Sequence, residues 1–296
     1  MNDSEKKKAF SQARREALKG RTAILRDTHA EIMRLLKLAQ AEIAAVLAGQ
    51  PSDYQLWMLP QISKEISVVM ARFGDAGAAT LSTASGKAWQ AGQGLIDVPL
   101  AAAGFALAGV APSIDTRQLL AMRAFMTDRI KDVGVAAANK INSELGLVVI
   151  GARAPGDAIG RVTEILGDQS RARATTIVRT ELGRVYAVAA QARMEQAGEL
   201  VPGLKKQWRR SGKIHSRLNH DLADGQIRER DQPFNVGGRQ IMHPHDPKAP
   251  ASETINCGCV AIPYMDSWEM ATPGRKPYTA DELRLNVTKR MLRQAA

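Results

Sequence analysis

Four of the five histidines (His215, His220, His243 and His245) and both cysteines, Cys257 and Cys259, fall between Trp208 and Cys259. These are side chains that bind transition metals or move protons near neutral pH. Zinc is the first chemistry they suggest, since His220, His243, His245, Cys257 and Cys259 offer more ligands than one site uses. The spacing argues against it. Zinc-binding pairs usually enclose roughly two to four residues, Cys-x-Cys is tighter, and no second pair matches. Nuclease chemistry, with a hydroxide held on phosphate, lacks a carboxylate pair beside a histidine. A cysteine nucleophile needs a histidine aimed at it, and nothing in the sequence orients one toward Cys257 or Cys259. The rigid run His243-Pro244-His245-Asp246-Pro247 suits positioning a turn as well as a base. The residues alone therefore favour an architectural cluster in a loop-rich core, with His220 and Asn256 bonded to backbone and small thiols filling space. On that reading there is no catalytic residue, no metal and no cofactor.

The elements that position this stretch are mainly helical. Leu25, Ile32, Leu36, Ala39, Ile43 and Val46 follow three-, four- and seven-residue steps, one apolar seam of a long helix that Gly49 and Pro51 should stop. A second helix is expected from Pro60, with Ile62, Ile66, Val69, Phe73, Ala76, Ala84, Ala88 and Ala91 on its seam. Residues 95–112 fall short of the ~20 apolar residues of a membrane span, interrupted by Asp97 and Pro99, and read as a Gly/Ala-rich connector. Asp115 and Gln118 resemble a capping box for a helix with Met122, Met126, Ile130, Val133, Ala137 and Ile141 on one face. A short helix from Pro155 and a longer one from Ser170 to Gly198 follow. Beyond Gly198, turn residues alternate with short apolar stretches, and strands are expected near 205–210, 226–230, 239–242 and 258–263. Thr279 and Glu282 should cap a terminal basic helix. The fold class is mainly α with a small α+β C-terminal module, long antiparallel helices followed by a loop-rich domain with short strands. The expected division is a helical region at 1–150, a module at 151–265 and a basic tail at 266–296.

The chain has 296 residues, 45% hydrophobic and 24% charged, which excludes wholesale disorder. Its formal net charge of +11 implies a negatively charged partner, such as nucleic acid, a membrane face or an acidic protein. Basic clusters lie in residues 1–26, from Lys205 to Arg217 and from Arg275 to Arg293. Lys205, Lys206, Arg209, Arg210 and Lys213 are the candidate contacts to duplex phosphate, without sequence reading. Trp208 among them is a core anchor in the first instance and a base-stacking platform in the second. Cys-x-Cys makes no ordinary disulfide framework, which suggests a reducing compartment, and MNDSEKKKAF has no apolar segment of a secretory signal.

An ordered set of residues resembles the phage Mu protein F-like family of minor head proteins. Arg179, Thr180 and Glu181 on a helix come first, then Trp208, Arg217 and His220, then Asp224 and Gly225. Pro233, Phe234, Gly237 and Gly238 follow, then Pro244, Asp246 and Pro247, and last Asn256, Cys257 and Cys259. The match covers roughly 150–265. It departs at Lys213 and His215, where the family often has Asp and Arg, and at Gly258, where Arg is usual. The resemblance implies a structural protein of a tailed-phage head, acting in capsid assembly near the portal. Its expected partners are portal and capsid or scaffold proteins and packaged double-stranded DNA, with no membrane. Its expected location is the inner head, and the host cytoplasm during assembly. Some relatives carry a toxin or enzyme domain after this module; here about 30 residues follow Pro263, too few for such a core. The alternative is a metal-dependent nuclease or other phosphate-directed enzyme built on the His/Cys cluster.

Overall fold

The computed structural model describes residues 1–48, 59–105, 107, 114–266 and 274–294. Gly49 and Pro51 lie outside these, as does most of 106–113, so the expected stop of the first helix is not described. The helices are α1 (Asp3–Ala48), α2 (Leu59–Ala102), α3 (Arg117–Val149), α4 (Pro155–Glu164) and α5 (Ser170–Leu200), with a π-helical turn at Ile165–Gln169 before α5. The C-terminal elements are β1 (Leu204–Arg209), α6 (Leu218–Leu222), β2 (Ile227–Glu229), β3 (Phe234–Val236), β4 (Arg239–Ile241), α7 (Ala251–Thr254), β5 (Val260–Met265), α8 (Ala280–Leu285) and α9 (Val287–Gln294). The protein is mainly α with a small module of short antiparallel strands.

Two compact units divide the chain, and helices α1, α2 and α5 contribute residues to both. One consists of Leu25–Gly86 and Arg117–Glu181; the other of Met1–Ile24, Lys87–Thr116 and Leu182–Ala296. This differs from a division at 150 and 265. The basic tail belongs with the strand module because Glu282 and Lys289 are buried and ion-paired there.

The first unit is built on the apolar seams. Ile32, Leu36, Ala39 and Ile43 of α1 are buried, as are Ile62, Ile66, Val69 and Phe73 of α2. Each large aliphatic side chain so placed contributes about 1.5–3 kcal/mol. Arg72 pairs with Glu42 at 2.6 Å, while further along α2 Gly77 lies against Ile32. Gly134 of α3 packs on the Met70 carbonyl, and Arg123 donates to Ser85 at 3.0 Å. Partner numbers rise on one helix as they fall on the other, so both α1 with α2 and α2 with α3 run antiparallel.

Residues 95–102 are not a connector: α2 continues through Pro99 to Ala102. Proline inside a helix costs about 3 kcal/mol in a lost hydrogen bond and a clash. Leu95, Ile96 and Leu100 are completely buried around it, which outweighs that cost. Among the described residues no helix is long and apolar enough to cross a membrane.

In the second unit, β1 is the central strand of an antiparallel sheet ordered β2-β1-β5, with Trp208 opposite Ala261. Strands β3 and β4 form a separate hairpin closed at Gly237-Gly238. Strand β3 is not among the strands the sequence predicts. Arg14 donates to the Pro263 carbonyl at 3.0 Å and Arg193 to Asp97 at 2.6 Å, which ties α1, α2 and α5 segments into this unit. The capping box at Thr279 and Glu282 forms as expected, but Asn286 turns extended and splits the terminal helix into α8 and α9.

Candidate functional site

Most residues that carry the family resemblance converge in the strand module. Trp208, Phe234, Cys257 and Cys259 share one buried cluster with Ala223, Val236, Ile241 and Ala261. The Trp208 ring meets His220 and Phe234 edge-on at 5.5 and 5.4 Å, and its indole donates to the His220 carbonyl at 3.2 Å. Trp208 is fully buried, so it is a core anchor and not a base-stacking platform. Asp224 accepts from the Arg210 backbone at 2.8 Å, and Gly225 donates to the Trp208 carbonyl. Asp246 fixes its turn by accepting from the backbone of Met242 and Lys248, both at 2.9 Å. Pro244 is buried beside it, and its carbonyl lies 3.0 Å from His243 Nδ1. Arg179, Thr180 and Glu181 lie on α5 in the other unit, Thr180 and Glu181 buried and Arg179 exposed.

The histidines separate. His243 and His245 are buried in the 243–247 turn; burial pushes His245 down to about 4, so it is neutral at physiological pH. His215 is exposed. His220, on α6, is the one brought to the cysteines. Its Nδ1 stands 3.6 Å from Cys257 Sγ and 3.5 Å from Cys259 Sγ, while its Nε2 meets Glu253 on α7 at 2.8 Å. Asn219 donates to the same carboxylate oxygen at 3.0 Å. With Nε2–H held by a carboxylate, the Nδ1 lone pair faces both sulfurs.

A histidine is thus oriented toward the cysteines, against the expectation from neighbours along the chain: His220 reaches the thiols across 37 and 39 residues. The loop that delivers them is tightly built. Arg217 donates to the Ile255 carbonyl at 2.7 Å, and Asn256 takes a left-handed φ of 55°. Gly258 separates the cysteines where a Cβ would lie 2.7 Å from the Ser211 Cβ, so a larger side chain has no room here.

Electrostatics at the site follow from these contacts. Burial alone would lower His220, but the Cys257 sulfur and the Glu253 carboxylate outweigh it and leave it raised. Cys257 is pulled well below the ordinary thiol range by hydrogen bonding from Cys259, which is itself pushed up. The three groups border a cavity of about 300 Å³ also lined by Ser211, Lys213, His215 and Arg217. Such an arrangement can ligate a soft metal ion or hold a thiolate against an imidazole. Glu253 escaped the sequence reading, since nothing near it marks a carboxylate that will meet a histidine 33 residues away.

The candidate phosphate contacts are only partly available. Lys206 is fully buried over the Phe234 ring and donates to the Met242 carbonyl at 2.8 Å; burial lowers it to about 8. Arg210 is buried against Glu282 at 2.5 Å. Both leave the phosphate-binding set: Lys206 shares the covered Trp208 face of β1, and Arg210, just beyond β1, is held by Glu282 and the Lys276 and Pro277 carbonyls. Lys205 bridges Glu229 and Asp266, both at 3.0 Å, and Arg209 stands 3.6 Å from Asp224. Lys213 is exposed although it donates to the Asn256 carbonyl.

No family model and no solved structure matches the chain. It is 34% identical over 128 residues to the uncharacterized protein YqbB of Bacillus subtilis, covering 42% of this chain and 39% of that protein. It is 35% identical over 104 residues to the NAD(+)--arginine ADP-ribosyltransferase EFV of Enterococcus faecalis, covering 33% of this chain and 20% of that protein. The chain thus spans well under half the length of either relative.

Proposed function

We propose that the chain is a structural minor head protein of a tailed phage or prophage, acting in capsid assembly near the portal. The observation that carries this reading is that Trp208, His220, Phe234, Cys257 and Cys259, central to the family resemblance, build one buried core. Residues recruited to a core serve a module's shape, and shape is what an assembly protein contributes. The activity named for the enterococcal relative stays with that protein, of which the shared stretch is one fifth. Portal and capsid or scaffold proteins are the proposed partners. Asymmetric cryo-electron microscopy of particles from the encoding phage should place this chain next to the portal. Particles that assemble to normal yield and infectivity without it would overturn the reading.

A proposed secondary role is contact with packaged DNA through exposed cations. Lys8, Arg15, Lys213, Arg275, Lys276, Arg290 and Arg293 are exposed. Neutralising about six phosphates gives a slope of log affinity against log salt near −5, alike for unrelated duplexes. Replacing Arg290 and Arg293 with Gln should flatten that slope by about two. Lys206→Gln should change stability and leave the slope alone. Titration of labelled duplex at several salt concentrations measures both, and an absence of binding at low salt would restrict the partners to proteins.

A further inference from the structure

We propose that His220 Nδ1, Cys257 Sγ and Cys259 Sγ bind one zinc ion, with Glu253 as the carboxylate that orients the imidazole and the fourth position facing the adjoining cavity. This is independent of the head-assembly reading and revises the expectation of a metal-free cluster.

The geometry carries it. The three donor atoms lie within 4.8 Å of one another. A tetrahedral zinc with Zn–N of about 2.1 Å and Zn–S of about 2.3 Å sets nitrogen and sulfur about 3.6 Å apart. Nδ1 stands 3.6 and 3.5 Å from the two sulfurs. A hydrogen bond would need one thiol on the single Nδ1 lone pair; here two sulfurs converge on it at nearly equal distance. Metal-bound imidazoles commonly donate their second N–H to a carboxylate, and Glu253 accepts from Nε2 at 2.8 Å. Asn219 bonds the same oxygen, so the orienting group is itself oriented. Two soft sulfurs and one imidazole select zinc over magnesium or calcium, which take oxygen ligands. Binding displaces the thiol protons to solvent. The open position borders Ser211, Lys213, His215 and Arg217, and among the described residues no further cysteine or acid completes the set.

The ion would join α6 to the loop before β5, across a stretch that has no strand pairing of its own. Tag-free protein purified without chelator should contain about one zinc per chain by elemental analysis. Cobalt substitution should give thiolate-to-cobalt charge transfer and the intense visible absorption of a tetrahedral site. Chelation should lower the thermal midpoint by roughly 5–15 °C. Cys257→Ser and Cys259→Ser should abolish the cobalt spectrum, and Glu253→Gln should weaken zinc binding about 10–100-fold. His215→Gln should retain the ion, and its loss there would overturn the open fourth position. The cobalt spectrum of the unmodified chain decides the matter even if the serine variants do not fold. Folded, reduced protein that gives only weak octahedral cobalt absorption and no retained zinc would overturn the site.

Discussion

Glu282→Gln lowers the stability of the folded chain by about 3–5 kcal/mol at neutral pH, the cost of removing one partner from a buried ion pair. The carboxylate is 1% exposed and accepts from Arg210 at 2.5 Å, Lys289 at 2.8 Å and the Thr279 backbone at 3.0 Å. Arg210 and Lys289 are themselves buried, and Lys289 also stands 3.4 Å from Asp221. A neutral amide leaves two desolvated cations short of their common anion. Arg284→Gln is the contrast: its pair with Asp281 is exposed, and its loss costs at most about 1 kcal/mol. Urea titrations of the three proteins measure the difference, and equal midpoints for the two variants would refute the assignment.

The same carboxylate predicts a pH dependence. Burial would raise Glu282, but Arg210, Lys289 and the Thr279 backbone hold it down at about 2, against 4.5 for an ordinary Glu. A depressed carboxylate stabilises the fold fully above its unfolded value and loses that contribution as pH falls through its folded value. The loss therefore runs from about 4.5 down to about 2, and the Glu282→Gln variant should lack that component.

Gly92→Ala destabilises by about 1–3 kcal/mol, whereas Gly20→Ala stabilises by about 0.5–1 kcal/mol, although both replace glycine inside a helix. A Cβ at Gly92 would lie 2.4 Å from the Tyr186 carbonyl oxygen and 2.8 Å from the Ala189 Cβ. Backbone cannot rotate aside as a long side chain can, so α2 and α5 would have to separate within their unit and loosen the packing around Tyr186. Nothing lies within 4 Å of a Cβ at Gly20, and there only the intrinsic helix preference for alanine acts. Thermal melts of both variants should move in opposite directions. A rise for both would mean that the contact at Gly92 is not tight.

Helix seams were the most readable feature of the chain, because a period of three to four residues is a local property. Ile62, Ile66, Val69 and Phe73 were readable as one face and are buried as one face. Pro99 misled the reading, since its penalty is local while the burial of Leu95, Ile96 and Leu100 that offsets it is tertiary. In the basic run from Lys205, Lys206 and Trp208 are two residues apart on β1 and so share a face, which the tryptophan marks as covered. The candidate site was legible in its residue types and illegible in its geometry. Ligand-pair spacing describes sites closed by neighbouring residues, and His220 meets Cys257 and Cys259 across 37 and 39 residues, in a fold that pairs β5 with β1.

The division of the chain between its two units sets a timetable for synthesis. The unit of residues 25–86 and 117–181 has all its parts once Glu181 is made. The other begins with Met1–Ile24 and waits for the strands at the far end. Arg14 and the carbonyl it holds are 249 residues apart, a wait of roughly 12–50 s at ordinary elongation rates. During that interval Arg14, buried in the finished protein, lacks the Pro263 carbonyl it donates to. The stretch Met1–Ile24 is therefore made first in its unit and waits for the strand module before its surroundings are complete.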